Sequence, residues 1–96
     1  MKISELLGSP DKWCQGSGAQ KEDGAIVDSL SQNATKWCIY GALWKCYRDS
    51  EERYEALMKL NEALKMVFGD SHLVWWNDYR YRTFEDVRQL VLEAGV

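Results

Sequence analysis

Residues 33–47, NATKWCIYGALWKCY, constrain the fold most, because apolar side chains lie on nearly every side of the helix that they would form. At helical spacing Ile39 and Leu43 share one face, and Trp44 lies along another. A helix that is apolar all round is normally buried. Gly41 costs a helix interior about 1 kcal/mol relative to Ala, a cost that is tolerated where a neighbouring backbone comes close. The stretch therefore predicts a central, buried helix.

Three further segments carry helical signals. Apolar spacing before Gly8 predicts a short first helix. Residues 49–68 begin with a capping signal, carry an apolar stripe and end at Gly69. Residues 83–94 begin with another capping box and end before a glycine. The short connection after residue 47 predicts that the two helices on either side of it are antiparallel neighbours.

Residues 13–27, WCQGSGAQKEDGAIV, leave two alternatives open. The acidic-glycine turn at residues 21–24 predicts a tight turn with positive φ at Gly24, so that the flanks pair as a short β-hairpin. Gly16 and Gly18 weaken strand character, which favours an ordered loop instead. The expected fold is mainly α. It is a small single-domain helical bundle over residues 1–96, with three main helices, a short N-terminal helix and either a hairpin or a loop near residues 13–27.

Charge and hydropathy exclude several function classes. The formal net charge is −3 and the pI is about 5.1, which argues against a duplex-DNA binder, because such proteins usually carry a basic footprint. No apolar run approaches the ~20 residues of a membrane span, and the start, MKISELLGSP, lacks a signal-peptide core. We therefore expect a cytoplasmic protein, in the host cytoplasm if a phage encodes it, and no membrane partner.

Few residues suit catalysis or metal binding. His72 is the single histidine, and it directly follows a predicted helix end, where a loop or capping role is the simpler interpretation. The three cysteines lack the paired spacing of zinc ligands, and thiols used as small core residues explain them most simply. No nucleotide-loop, metalloprotease or hydrolase motif is present. We assign no catalytic residue, no metal site and no cofactor.

The segment LVWWNDYRYRTF, residues 73–84, is the strongest candidate for a binding site. Rings there would stack on a flat ligand, arginines would contact phosphate, and an Asn-Asp pair would read polar edges. In the alternative interpretation, alternate residues point inward while the Asn-Asp pair bonds nearby backbone and sets a turn. The candidate ligand residues are Trp13, Gln15, Trp75, Trp76, Asn77, Asp78, Tyr79, Arg80 and Arg82.

Five sequence blocks resemble a family of small uncharacterised domains encoded in bacterial and phage genomes. The resemblance implies no activity, cofactor or catalytic residue, but it does imply a phage or mobile-element setting. The doubled Trp75-Trp76 and the run YRYR at residues 79–82 lie outside the pattern. The blocks are W-x-Q-G at 13–16, D-G-x-x-V at 23–27, A-x-x-W-C-x-x-G-A-L at 34–43, W-N-D at 76–78 and T-x-x-x-V at 83–87.

Joint occurrence of these blocks suggests contacts between them. Trp13 is expected to fill an apolar slot over Gly41 and Ala42, and Gln15 is expected to hydrogen-bond Asn77 or the aspartate after it.

A non-catalytic binding protein is the leading function class. In the first mechanism it sequesters a small anionic, nucleotide-like ligand, as a counter-defence protein would. In the second, the same patch is a hot spot for a protein partner, for an inhibited target or for self-association, with Trp75 or Trp76 as its anchor. A small hydrolase or transferase ranks below both, because it would need Asp78, His72 or Cys14 as the reacting group.

Overall fold

In the first half of the chain, two short helical segments are followed by a three-stranded sheet and a helix. The second half is helical. The computed structural model describes residues 1–96. The elements in chain order are α1 (Ile3–Leu6), a 3₁₀ turn (Pro10–Lys12), β1 (Ala19–Gln20), β2 (Ile26–Val27), β3 (Lys36–Trp37), α2 (Ile39–Cys46), α3 (Ser50–Ala63) with a π-helical continuation (Leu64–Phe68), α4 (Leu73–Asp78) and α5 (Phe84–Ala94). The predicted fold class, a mainly helical bundle, is confirmed.

The two long helices begin and end where their capping signals predict. The Asp49 carboxylate accepts hydrogen bonds from two backbone N–H groups at the start of α3. Thr83 and Asp86 form a reciprocal capping box at the start of α5. Gly69 and Gly95 take the left-handed conformation just after the two helical segments, where a residue without Cβ has no steric cost. Since these signals are local, sequence alone places both helices.

The hairpin near residues 13–27 forms, but it is short. β1 and β2 are antiparallel, with Ala19 opposite Val27 and Gln20 opposite Ile26. β3 pairs antiparallel with the other edge of β1, so the strand order is β2-β1-β3. The third strand was not predicted. It gives the two-residue hairpin a paired neighbour, which such a short ribbon needs in order to be stable.

The central helix is shorter and less buried than predicted. Lys36 and Trp37 belong to β3, and α2 begins only at Ile39. The backbone of β3 is already paired with β1, so it cannot also supply helical hydrogen bonds. Tyr40 and Trp44 on α2 are exposed. The expectation of a helix buried on every side was therefore wrong, because apolar composition does not show which face a neighbour covers.

Helix α4 was not predicted. It spans six residues, and Leu73, Trp76 and Asn77 are its buried members. Those positions are spaced at i, i+3 and i+4, which is one helical face. A helix this short is marginal by itself, so packing against the bundle holds it in place. None of the helices combines the length and the apolar composition that a membrane-spanning segment requires.

A backbone does come close at Gly41, as predicted. A Cβ built on Gly41 would lie 1.9 Å from the carbonyl oxygen of Gly18. The neighbour is thus the loop before β1, and the expected slot for Trp13 over Gly41 is not the cause of the small residue. Trp13 instead lies beside Trp37, with which it forms an isolated parallel bridge.

Candidate functional site

Asn77 is a buried junction between three segments of the chain. The residue is only 1% exposed. Its Oδ1 accepts from Trp13 Nε1 at 2.9 Å and from the Ile39 backbone N–H at 3.1 Å. Its Nδ2 donates to the Cys14 carbonyl at 3.2 Å and to Asp78 Oδ1 at 2.9 Å. Two donated and two accepted bonds satisfy the whole amide.

Gln15 ties the N-terminal loop to the end of α4, as the sequence predicted. Its Nε2 donates to the carbonyl oxygens of Asn77 and Tyr79, each at 2.8 Å. Asp78 Oδ1 also accepts from the Gly16 backbone N–H at 3.0 Å. The loop therefore fixes the orientation of the segment that follows α4.

These bonds show what four of the predicted ligand residues do within the chain. Asn77 is buried, and all its side-chain polar atoms form hydrogen bonds within the chain. The same is true of the indole nitrogen of Trp13, the amide nitrogen of Gln15 and Oδ1 of Asp78. These bonds join the N-terminal loop to the end of α4. The W-x-Q-G and W-N-D blocks are thus one structural joint.

The doubled tryptophan divides between core and surface. Trp75 is 74% exposed, whereas Trp76 is 2% exposed and belongs to the hydrophobic core. Tyr79 and Tyr81 are exposed as well, with their rings 5.6 Å apart. The predicted aromatic surface therefore exists, but Trp76 is not freely accessible on it.

A groove beside α4 gathers the residues best suited to bind a ligand. It holds about 280 Å³, is open to solvent, and is called here the Arg82 groove. Its lining residues are Asp70, His72, Trp75, Trp76, Tyr79 and Arg82. Four of these six were predicted from the sequence.

The Arg82 side chain is largely buried, and two of its three guanidinium nitrogens have partners within the chain. Its Nε donates to the Trp76 carbonyl at 2.8 Å, and its Nη1 lies 3.5 Å from the Asp86 carboxylate. The guanidinium lies 4.0 Å from the centre of the Trp76 ring and 5.4 Å from that of Tyr79. Nη2 makes no hydrogen bond within the chain, so one edge of the guanidinium can still donate.

Arg80 lies outside the lining of this groove. It is exposed, its Nη2 donates to the Tyr81 hydroxyl at 2.6 Å, and its guanidinium lies 4.7 Å from the Tyr81 ring centre. Arg80 therefore lies on the protein surface beside Tyr81 and is not part of the groove lining.

Asp70 and His72 also line the groove. Sequence reasoning assigned no role to Asp70 and only a loop or capping role to His72. Asp70 Oδ1 accepts from the backbone N–H groups of Ser71 at 2.7 Å and His72 at 3.0 Å. The bond from His72 lowers the pKa of the Asp70 carboxyl. The His72 ring stacks on Trp75, with centroids 5.1 Å apart. The signal available was Asp-Ser-His after a helix-ending glycine, which indicates an Asx turn.

Those three residues do not form a catalytic triad. Ser71 Oγ and the Asp70 carboxylate both face the same imidazole nitrogen of His72, Nδ1, at 3.4 Å and 3.9 Å. A triad places the acid and the nucleophile on opposite ring nitrogens. The geometry therefore does not activate Ser71.

The thiols are poorly suited to nucleophilic chemistry. Burial raises the pKa of Cys14 and of Cys46 to about 11 and also raises the pKa of Cys38, so little thiolate forms near neutral pH. No three side chains of His, Cys, Asp or Glu type come together to hold a metal ion.

A second groove adjoins the first. It holds about 270 Å³ and is called here the apolar groove. It shares His72 and Trp75 with the Arg82 groove, so Trp75 is the ridge between the two. Its lining residues are Tyr40, Leu57, Asn61, His72, Leu73, Val74 and Trp75.

Comparison with known proteins places the chain in a family. The model described as "Family of unknown function (DUF6197)" matches residues 2–95. This chain belongs to that family. The predicted membership of an uncharacterised domain family is thereby confirmed. No curated protein and no solved structure matches the chain. In this DUF6197 chain, the Arg82 groove is the surface feature on which a functional proposal can be built.

Proposed function

We propose that the protein is a non-catalytic binding protein that holds a small, flat, anionic ligand of nucleotide type in the Arg82 groove. The observation that carries the proposal is that exposed rings and the guanidinium of Arg82, whose Nη2 has no hydrogen-bond partner within the chain, line one groove. Two classes of contact are then available side by side, stacking for a base and charged hydrogen bonds for a phosphate.

The rings supply the stacking. Trp75 and Tyr79 lie one helical turn apart along α4 and its C-cap, and both line the groove. Stacking of a base on an aromatic side chain contributes about 1–3 kcal/mol. His72, itself stacked on Trp75, extends the flat surface.

Arg82 supplies the anion contact. Its Nη2 has no partner in the chain, while its Nε bond to the Trp76 carbonyl holds the guanidinium in place. A preoriented guanidinium edge is the group that best recognises phosphate oxygens. Arg80, two residues before Arg82, is exposed and adds positive charge to the surface, whereas Asp70 adds negative charge to the groove itself.

A sequestering role fits these features better than turnover does. The groove offers contacts for binding but contains no activated nucleophile, since Ser71 and Asp70 face the same nitrogen of His72. In a phage or mobile-element setting, which the sequence resemblance implies, such a protein would act in the host cytoplasm as a counter-defence factor that removes a signalling nucleotide.

Thermal-shift measurements with a panel of nucleoside phosphates and cyclic nucleotides test the proposal. A ligand at about 100 times its Kd adds about 2.7 kcal/mol to the stability of the folded state, and we expect one or more of the panel to raise Tm by about 11–22 °C. Trp75→Ala should weaken that ligand about tenfold or more and should leave the Tm of the free protein almost unchanged, because the side chain is exposed.

The matched control is Tyr54→Ala. Tyr54 is another exposed aromatic residue, but it lies on α3 and does not line the Arg82 groove. We expect this variant to bind as the parent does. Equal loss of binding in both variants, or no response to any nucleotide, would contradict the proposal.

Self-association through Trp75 is a second candidate function. Trp75 projects from the surface directly beside the apolar groove. A projecting ring next to a cavity is self-complementary, because a twofold axis would place each Trp75 in the groove of the other copy. Aromatic anchors of this kind commonly dominate interface energetics.

Sedimentation velocity over a wide range of protein concentration distinguishes this candidate. Self-association predicts a mass that rises from monomer to dimer with concentration, and a monomer at every concentration for Trp75→Ala. Tyr81→Ala removes an exposed ring outside the apolar groove and should still dimerise. A parent protein that stays monomeric throughout would exclude the second candidate.

A further inference from the structure

The Asp70 carboxylate belongs to a residue that lines the Arg82 groove, and one of its two oxygens has no hydrogen-bond partner within the chain. Oδ1 already accepts two backbone N–H groups, from Ser71 and His72. Two accepted bonds use both lone pairs of that oxygen. Oδ2 makes no hydrogen bond within the chain, although Asp70 lines the groove. The turn therefore holds the carboxylate in a fixed orientation and leaves its second oxygen available.

The available oxygen can only accept. The hydrogen bond from the His72 backbone lowers the pKa of Asp70, so the group is a carboxylate at neutral pH. An ionised carboxylate has no proton to donate. A ligand that meets Asp70 must therefore present N–H or O–H donors on that side.

The opposite requirement holds at Arg82. Its Nη2 can only donate, so it needs an acceptor such as a phosphate oxygen. The groove thus combines an acceptor, a donor and ring faces for stacking. A nucleotide with an amino-bearing base meets both requirements, because the base supplies N–H donors and the phosphate supplies anionic acceptors.

We propose that Asp70 is the specificity-determining residue of the Arg82 groove and that it selects nucleotides whose base presents an amino donor, with guanine the best match. This inference rests on the proposed nucleotide-binding function. Guanine carries an imino and an amino N–H side by side on one edge, so two donors are available to the two lone pairs of Asp70 Oδ2. Arg82 then contacts the phosphate while Trp75 and Tyr79 stack on the base.

Paired ligands test the inference on the parent protein. GMP and IMP differ only by the amino group of guanine. Isothermal titration calorimetry should give a Kd for GMP about tenfold or more lower than that for IMP, because a site built to accept a donor rejects the analogue that lacks it.

Asp70→Asn provides the second measurement. The amide keeps an oxygen for the turn but replaces Oδ2 with a donor, so the ratio of the IMP Kd to the GMP Kd should fall to about one or below. Asp23→Asn is the matched control. Asp23 also accepts a backbone N–H in a turn, from Ala25 at 2.9 Å, and it does not line the groove. This control should keep the parent ratio.

Each result decides a different point. GMP and IMP binding with equal Kd values would overturn the role of Asp70 and leave the proposed function standing. Binding of no nucleotide at all would overturn both. A parent preference for GMP that persists in Asp70→Asn would show that another group reads the amino donor, and it would also overturn the inference.

Discussion

Asn77→Ala is expected to lower the free energy of unfolding by about 3–5 kcal/mol. Removing the amide leaves three groups without partners, the indole N–H of Trp13, the backbone N–H of Ile39 and the carbonyl of Cys14. Each unsatisfied buried group costs about 1–3 kcal/mol. Water that enters the vacated space recovers part of that cost.

Chemical denaturation and thermal melting measure this effect. For a domain of this size a loss of 1 kcal/mol lowers Tm by about 4–8 °C, so the variant should melt at least about 12 °C below the parent. Asn61→Ala is the matched control. Asn61 is half-buried on α3 and its side chain makes no hydrogen bond within the chain, so its loss should stay within about 0.5 kcal/mol. Similar stabilities for the two variants would show that Asn77 is not the junction described above.

Gly41→Ala should destabilise the protein by about 2–3 kcal/mol, although alanine is the better helix former. Helix propensity alone predicts a gain of about 1 kcal/mol. The new Cβ would lie 1.9 Å from the Gly18 oxygen and 2.7 Å from its carbonyl carbon. Both atoms belong to the backbone, so the loop before β1 has to move away from α2. Because the gain and the loss have opposite signs, the direction of the change identifies which effect dominates.

Gly18→Ala is the control for this close approach. A Cβ there would meet only the Ser29 hydroxyl, at 3.0 Å, and a hydroxyl at the end of a side chain can rotate. We expect its cost to stay below about 1 kcal/mol. Urea denaturation of both variants gives the comparison. A Gly41→Ala variant as stable as the parent would mean that the two backbones are not locked together at this point.

Sequence reasoning succeeded where the signal is local or the bonding partner is chemically obvious. The caps of α3 and α5 are encoded within a few residues of each helix end, so no knowledge of the rest of the fold is needed. The pairing of Gln15 with Asn77 was also predicted. Each of the two amide side chains needs hydrogen-bond partners, and each donates to a backbone carbonyl of the other segment: Gln15 to that of Asn77, and Asn77 to that of Cys14.

Prediction failed where a neighbouring segment decides the outcome. Lys36 and Trp37 have the composition of the helix that follows, but β1 pairs with them. The sequence before α4 contains no capping signal that predicts the helix, since the N-cap residue, His72, makes no side-chain capping bond. The sequence around Asp70 indicates an Asx turn but not a binding site, and only the fold shows that Asp70 lines the Arg82 groove.

Sequence by itself determined a mainly helical chain, the ends of its two long helices, the close approach at Gly41 and an aromatic, arginine-rich segment. Only the tertiary structure decided which of two adjacent tryptophans became core and which became surface. Trp75 and Trp76 are chemically identical neighbours, but successive residues on a helix point about 100° apart. The bundle covers one of those directions and leaves the other in solvent, and that choice depends on packing between distant segments.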